Sequence, residues 1–286
     1  MSADVSSFAW GKAPVVMPEL PEVEVTRRGL AARLIGQSVA DVAVRVPALR
    51  YPVPRGLPAR LQGRELRGIR RRGKYLLFDF GNGHMLVHLG MSGSLRMVPR
   101  GEPAAKHDHF DIRFGEEVLR LRDPRRFGAV LWLDQDPEAH PLLAHLGAEP
   151  LEREFTAKAL AAALHGRRIA IKPAIMDAGI VVGVGNIYAS ESLHLAGIDP
   201  RAAAGRVSLA RLERLVPAIK KTLRAAIRAG GSSLRDYVSC EGGLGDFQTR
   251  HRVYDRAGEP CHECGTPVKM LRQGNRATYY CPRCQR

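Results

Sequence analysis

The sequence predicts an α+β protein of two domains. An antiparallel β-sandwich or barrel led by one helix comes first, and a helical domain ending in a four-cysteine zinc module follows. Three observations predict this. Residues 38–46, 64–81, 84–98 and 109–133 are rich in Val, Leu, Ile and Phe, with partial alternation and glycine-containing turns. No strand–helix–strand alternation interrupts them, so the strands are expected to be antiparallel. From about residue 134 the apolar spacing changes to threes and fours, the period of helices. Near the C-terminus stand two CxxC pairs, Cys261-x2-Cys264 and Cys281-x2-Cys284.

The leading helix is signalled by Pro18-Glu19-Leu20-Pro21-Glu22-Val23-Glu24. Pro21 suits a first helical turn, where its missing N–H is not needed. Glu22 and Glu24 fall where the helix dipole favours negative charge. Val23, Leu30 and Leu34 make one apolar stripe, and Gly36 supplies a stop.

Within the strand-rich region, Phe114-Gly115-Glu116-Glu117-Val118 reads as a hairpin. Residues 45–74 carry ten Lys/Arg against one Glu, a density that suggests an edge facing a polyanion. Asp134 to Glu138 and Glu149-Pro150 bracket a hinge. Helical periodicity then runs through 153–164, 172–178, 187–196 and 208–229. The last is the clearest: Ser208 is a candidate N-cap, and Leu209, Leu212, Leu215, Val216, Ile219, Leu223 and Ile227 recur at helical spacing until Gly230-Gly231. Residues 231–250 read as a glycine-rich loop.

The two CxxC pairs fit a closed tetrahedral site in which Cys261, Cys264, Cys281 and Cys284 bind one structural Zn²⁺. Four thiolates and Zn²⁺ sum to −2, and residues 251–286 compensate with seven Lys/Arg against three acids. Arg272, Arg276 and Arg283 lie between or beside the ligands, as in a finger that grips phosphates. Cys240 has no partner and reads as an ordinary thiol. Lys106-His107-Asp108-His109 lacks further ligands nearby, so a second metal site is not expected there.

The 286 residues are 45% hydrophobic, enough for a substantial core, and carry a formal charge of +15. That balance predicts a polyanionic partner. No apolar run reaches transmembrane length and no basic amphipathic anchor is present, so no membrane partner is expected. Residues 1–16 lack the basic start and apolar core of a signal peptide. A cytoplasmic, nucleoid-associated monomer with reduced thiols is therefore the expectation. Val181-Val182-Gly183-Val184-Gly185-Asn186-Ile187-Tyr188 is not a dinucleotide fingerprint, since Tyr188 stands where the third glycine belongs. It reads as a tight turn between helices whose free N–H groups bind a backbone phosphate.

Taken together, Met17-Pro-Glu-Leu-Pro-Glu-Val-Glu24 and the strings that follow it resemble the formamidopyrimidine-DNA glycosylases, over Met17 to Arg286. Arg72-Gly73-Lys74-Tyr75-Leu76 resembles the family's strand with a catalytic lysine. His88 to Gly93 and Asp123 to Gly128 resemble its two loops that fill the gap left by an extruded base. The resemblance implies a β-sandwich with a leading helix, a helix–two-turns–helix domain and a zinc finger. It implies Pro18 as nucleophile, Glu19 as proton shuttle, Lys74 as a group assisting the leaving groups, and Arg276 as a phosphate-binding donor for the second elimination. Met91 and Phe127 would be apolar wedges, and Arg125 would face the orphaned base. His107, Arg168, Lys172, Asn186 and Arg235 would contact DNA. The implied partner is double-stranded DNA carrying oxidised bases, and the implied activity is a bifunctional glycosylase and abasic-site lyase.

The expected layout is residues 17–135 for the catalytic sandwich, 136–150 for the hinge, 151–250 for the helix–two-turns–helix domain and 251–286 for the finger. Residues 1–16 are expected to be disordered or untranslated, because an internal Pro18 has an amide nitrogen and cannot form a Schiff base. The alternatives are an inactive damaged-DNA-binding homologue and an endonuclease VIII-like enzyme for oxidised pyrimidines. The string typical of the latter is Pro-Glu-Gly-Pro, which Leu20 opposes. A ribosomal or RNA-binding zinc protein would leave the opening string unexplained.

Overall fold

The computed structural model describes residues 17–232 and 245–286. The expectations for residues 1–16, Arg235 and Cys240 lie outside the described residues. Among the described residues helix α1 (Leu20–Leu34) comes first and is followed by β1 (Asp41–Val44) and a short unforeseen helix, α2 (Leu57–Leu61). Seven strands then follow: β2 (Gly68–Arg72), β3 (Tyr75–Asp79), β4 (His84–His88), β5 (Ser94–Pro99), β6 (Asp108–Phe114), β7 (Glu117–Arg122) and β8 (Ala129–Leu133). With β1 they form two four-stranded antiparallel sheets, ordered β1-β6-β7-β5 and β2-β3-β4-β8. The architecture is therefore a sandwich and not a barrel. The Gly115-Glu116 turn pairs Phe114 with Glu117 as expected.

The sandwich core comes from alternate strand positions such as Leu76, Phe78, Met85, Val87, Phe110, Ile112, Leu119 and Leu121, each at most 2% exposed. Val23, Leu30 and Leu34 of α1 join it. Leu20, one turn earlier, packs in the core of the helical half. Helix α1 is thus shared between two cores. This is why Glu22 and Glu24 are buried, where a single apolar stripe would have left them in water. Glu24 is held by Arg27, Arg28 and Arg71, at 2.9, 2.8 and 3.1 Å.

Part of the basic run 45–74 is paired within the protein, Arg71 in a buried network and Arg60 at the surface. Arg45 pairs with Asp111, Arg60 with Asp134, and Arg71 with Glu24 and Glu149. Arg72 donates to the carbonyls of Leu146 and Gly147, both at 2.8 Å. These bonds fasten the β2–β3 hairpin to the connecting segment, which contains α3 (Pro141–Ala144). That segment in turn pairs with the helical half through Val182 N–H to Ala148 O at 3.0 Å and Gly147 N–H to Ala178 O at 2.8 Å.

The helical half holds α4 (Ala157–Leu164), α5 (Ile171–Ile175), α6 (Asn186–Ala196) and α7 (Leu209–Arg228), followed by the hairpin β9 (Lys269–Gln273) and β10 (Arg276–Tyr280). Helix α7 is the amphipathic element the spacing predicts, with Leu212, Leu215, Ile219 and Leu223 buried. Ser208 occupies its N-cap position without a side-chain cap bond. Helix α5 is shorter than expected because it ends at Ile175. Among the described residues no helix is long and apolar enough to cross a membrane.

Candidate active site

Pro18 and Glu19 are buried where α1 meets the start of α6. Glu19 is the N-cap residue of α1, and its N–H donates to Glu22 Oε2 at 2.9 Å. Its own carboxylate turns across the domain boundary. There it accepts from the N–H groups of Gly185 at 2.9 Å and Ile187 at 3.1 Å. The exposed N–H groups expected to hold a DNA phosphate are therefore partly taken by an internal carboxylate, placed where the helix dipole favours it. A Cβ at position 185 would lie 2.1 Å from the Glu19 carboxyl carbon, and one at 183 (φ +78°) would lie 2.6 Å from Leu20 Cβ. The Gly-x-Gly pattern thus exists so that the start of α1 can approach this turn.

Burial raises the Glu19 pKa to about 7, and nearby Glu22 adds to this, while Lys74 and the backbone N–H groups pull the other way. Desolvation wins, and the carboxyl exchanges its proton near neutrality. Glu22 is also raised by burial, and it accepts from the Tyr188 hydroxyl at 2.5 Å and from Ser232 N–H at 2.8 Å. Tyr188 and Ser232 are neighbours of the candidate site that the sequence pattern does not reveal. In the sequence Tyr188 only argues against a nucleotide motif.

Lys74 stands at the tip of the β2–β3 hairpin, beside Gly73 (φ +57°). It is half-buried, and burial depresses its ammonium pKa, with Arg276 acting in the same direction and Glu19 opposing. Gly73 N–H donates to Glu149 at 2.6 Å, which fixes the tip against the connecting segment. Lys74, Arg276, Gly185, Lys172 and Met17 line one cleft of about 480 Å³. Arg276 opens β10 and is exposed.

Lys172 is placed differently from a surface phosphate contact. It is 1% exposed, and its ammonium donates to Asn186 Oδ1 at 2.6 Å, Thr278 Oγ1 at 2.8 Å and Ala277 O at 2.9 Å. All three of its protons go to protein acceptors, so it joins α5, α6 and the finger hairpin. Burial lowers its pKa to about 7. Asn186 also donates to the Tyr254 hydroxyl at 3.4 Å. Arg168 is exposed beside Arg167 and Arg206.

The two expected gap-filling loops are brought together. Asp123 is fully buried and accepts from Ser92 Oγ at 3.0 Å, from Arg125 N–H at 3.3 Å and from Gly128 N–H at 2.7 Å. Gly90 (φ +64°) lies so close that a Cβ there would be 2.4 Å from the Phe127 carbonyl carbon. This staple presents Arg125 and Phe127 outward, with the guanidinium 4.8 Å from the ring centroid. Phe127 is 44% exposed, unusual for a large apolar residue, while Met91 is half-buried. His107 adopts φ +78° and its carbonyl accepts from Asp123 N–H at 3.0 Å.

The four cysteine sulfurs lie within 4.8 Å of one another, with Cys264–Cys281 at 3.5 Å and Cys261–Cys284 at 4.0 Å. Tetrahedral zinc with bonds of about 2.3 Å places its sulfurs about 3.8 Å apart, so the cradle fits one Zn²⁺. His194 Nε2 lies 3.5 Å from Cys261 Sγ, an outer contact of the kind that orients metal ligands. The finger docks through Glu191, whose buried carboxylate accepts from the successive N–H groups of Arg252, Val253 and Tyr254 at 2.8 to 3.0 Å.

Comparison with known proteins matches three successive profiles: formamidopyrimidine-DNA glycosylase N-terminal domain over residues 17–130, formamidopyrimidine-DNA glycosylase H2TH domain over 146–238, and a zinc finger found in FPG and IleRS over 258–286. The chain is 59% identical over 271 residues to the formamidopyrimidine-DNA glycosylase of Thiobacillus denitrificans, and 57% identical over 275 residues to that of Burkholderia cenocepacia. Each match covers 94% of this chain and 100% of the relative. Among solved structures, the fold is similar to a Lactococcus lactis FPG mutant in complex with a Fapy-dG containing DNA. That match has a TM-score of 0.87 and 34% identity, covering 94% of this chain and 100% of that one. It is also similar to MutM (FPG) from Thermus thermophilus, with a TM-score of 0.84 and 37% identity, covering 94% and 98%.

Proposed function

The chain belongs to the formamidopyrimidine-DNA glycosylase family of DNA-repair enzymes, and from that premise we propose that it flips oxidised purines from duplex DNA, excises them through a Schiff base on Pro18, and cleaves the abasic strand by β- and δ-elimination. The observation that carries the reading is the seat of Glu19: a carboxyl next to Pro18, held by two backbone N–H groups, with a pKa of about 7. Lactococcus lactis FPG has been captured with DNA containing Fapy-dG and with DNA containing an abasic site. Those ligands match the substrate and the intermediate of this scheme.

The chemistry follows from these groups. The Pro18 nitrogen bonds to the sugar C1′ as the bond from C1′ to the base breaks, and the proton that the nitrogen gives up leaves with the base. Glu19 in its protonated form gives its proton to the ring oxygen as the sugar opens, leaving a cationic Schiff base. That cation acidifies the C2′ proton, whose loss expels the 3′ phosphate. Loss of a further sugar proton expels the 5′ phosphate. Lys74, with its ammonium pKa depressed, supplies a proton to a leaving group. Arg276, on the same cleft, neutralises the phosphates. Met91, Phe127 and Arg125 occupy the space left by the extruded base, with Arg125 toward the orphaned partner. The zinc held by Cys261, Cys264, Cys281 and Cys284 fixes the shape of the finger that carries Arg276.

An α-amine has a reference pKa of about 7.7–8.0, so roughly a tenth is free base at neutral pH, against less than about a thousandth of a lysine side chain. The scheme therefore requires Pro18 to carry a free amine, and the active form begins at Pro18. Borohydride trapping on an 8-oxoguanine duplex, comparing chains started at Met1 and at Met17, tests this. The Met17 chain, its methionine removed, is expected to give a covalent adduct, and a chain that retains residues 1–16 is expected to give none. If the Met17 chain bound lesion duplex but could not be trapped, the inactive-binder reading would replace this one.

A further inference from the structure

We infer that the arginine-lined cavity between α1, β2 and α7 is a second anion site, one that takes a phosphate-bearing ligand with several charges. The cavity measures about 720 Å³ and shares no lining residue with the Lys74–Arg276 cleft. Both halves of the molecule build it. Arg27 and Arg28 come from α1, Arg70 and Arg71 from β2, and Arg224 and Arg228 from α7. Six arginines face two carboxylates there, Glu24 and Glu152, a formal excess of +4.

The pairing within the cavity points to a missing anion. Arg27, Arg28 and Arg71 share the carboxylate of Glu24, and only Arg71 has a second one, Glu149, which lies outside the cavity lining. The side chains of Arg70, Arg224 and Arg228 have no hydrogen-bond or ion-pair partner among the described residues. Arg224 and Arg228 are one helical turn apart on α7, an arrangement of like charges that weakens a helix unless something neutralises it. Guanidinium forks match phosphate oxygens two at a time. Ile69, Leu151 and Ile227 supply the apolar part of the cavity wall. A ligand seated here would touch α1 and α7 at once and so tie the two halves together.

Such phosphates come from either of two sources, a free polyphosphate or nucleotide and the backbone of a long duplex, and one experiment separates them. The zinc-loaded full chain is first saturated with a short abasic-site duplex, which occupies the catalytic cleft, and is then titrated calorimetrically with inorganic tripolyphosphate. Binding at one site, weakened at least tenfold in Arg224→Ala/Arg228→Ala, is the result expected for a free polyphosphate. The double variant should keep its circular dichroism spectrum and its excision rate on the short duplex. If the complex takes no tripolyphosphate, but the variant binds a longer duplex with its log K versus log salt slope reduced by about two, the ligand is the DNA backbone. Tripolyphosphate binding equal in wild type and variant overturns the inference. So does absence of binding together with an unchanged salt slope. A parallel Arg70→Ala variant guards against loss of α7 integrity, since it removes a cavity charge from the sandwich side and should follow the same pattern.

Discussion

Glu19 shows how one residue acquires its chemistry from neighbours it does not meet in sequence. Gly185 and Ile187 hold its oxygens, Glu22 holds its N–H, and burial sets its proton affinity near neutrality. Glu19→Gln is expected to reduce excision by at least about a hundredfold, the usual contribution of a positioned acid, while lesion-duplex affinity changes less than twofold. Single-turnover excision and equilibrium binding measure the two effects separately. The same substitution has a stability signature. The folded pKa of Glu19 lies above its ordinary value, so its burial as an anion costs nothing below about pH 4.5, and the cost grows as pH rises toward 7. Between those limits the stability difference should move in favour of Glu19→Gln by up to about 3 kcal/mol, read from urea midpoints at both pH values. A difference independent of pH would show that the carboxyl is not destabilised when ionised.

At the scale of elements, the β2–β3 hairpin works as a strut between the halves. Arg71 bridges Glu24 on α1 and Glu149 on the connecting segment, with all three side chains mostly buried. Removing one member of a buried ion network leaves charges unpaired, which costs more than the pair itself contributes. Arg71→Ala should therefore destabilise the protein by about 3 kcal/mol. It should also lower excision, because Lys74 sits at the tip of the hairpin that Glu149 fastens. Far-ultraviolet thermal melts and single-turnover rates check both expectations. A variant as stable as wild type would mean that the strut contributes nothing to holding the halves together.

Across the whole molecule, the finger is tied to the catalytic turn through Lys172 and Glu191 and is shaped by its metal. Cys261→Ser should release zinc and abolish duplex binding, while the sandwich, with its separate core, still melts cooperatively. Metal analysis, binding isotherms and calorimetry read these three outcomes. Freshly purified protein without zinc would contradict the assignment of the cysteines.

Much of this was legible in the sequence because it depends on local pattern. The alternation in 64–133 predicts the antiparallel strands, the spacing of Leu209 to Ile227 predicts α7, and the two CxxC pairs predict the zinc cradle. Each of these signals is periodic or fixed in spacing, and each is decided by neighbours a few residues apart. The roles of single polar groups were decided only by tertiary structure. Nothing near Lys172 in the chain reveals that its ammonium is buried against Thr278, and nothing near Gly185 reveals that its N–H meets Glu19. Those bonds span 106 and 166 residues. The first turn of α1 has the pattern of a solvated helix start and is instead the junction of two cores, because amphipathic pattern records one packing surface and this turn has two. Sequence determined most of the elements and marked the candidate residues for the chemistry. The packing of one half against the other decided which of those residues meet, since burial and long-range hydrogen bonds exist only once both halves are in place.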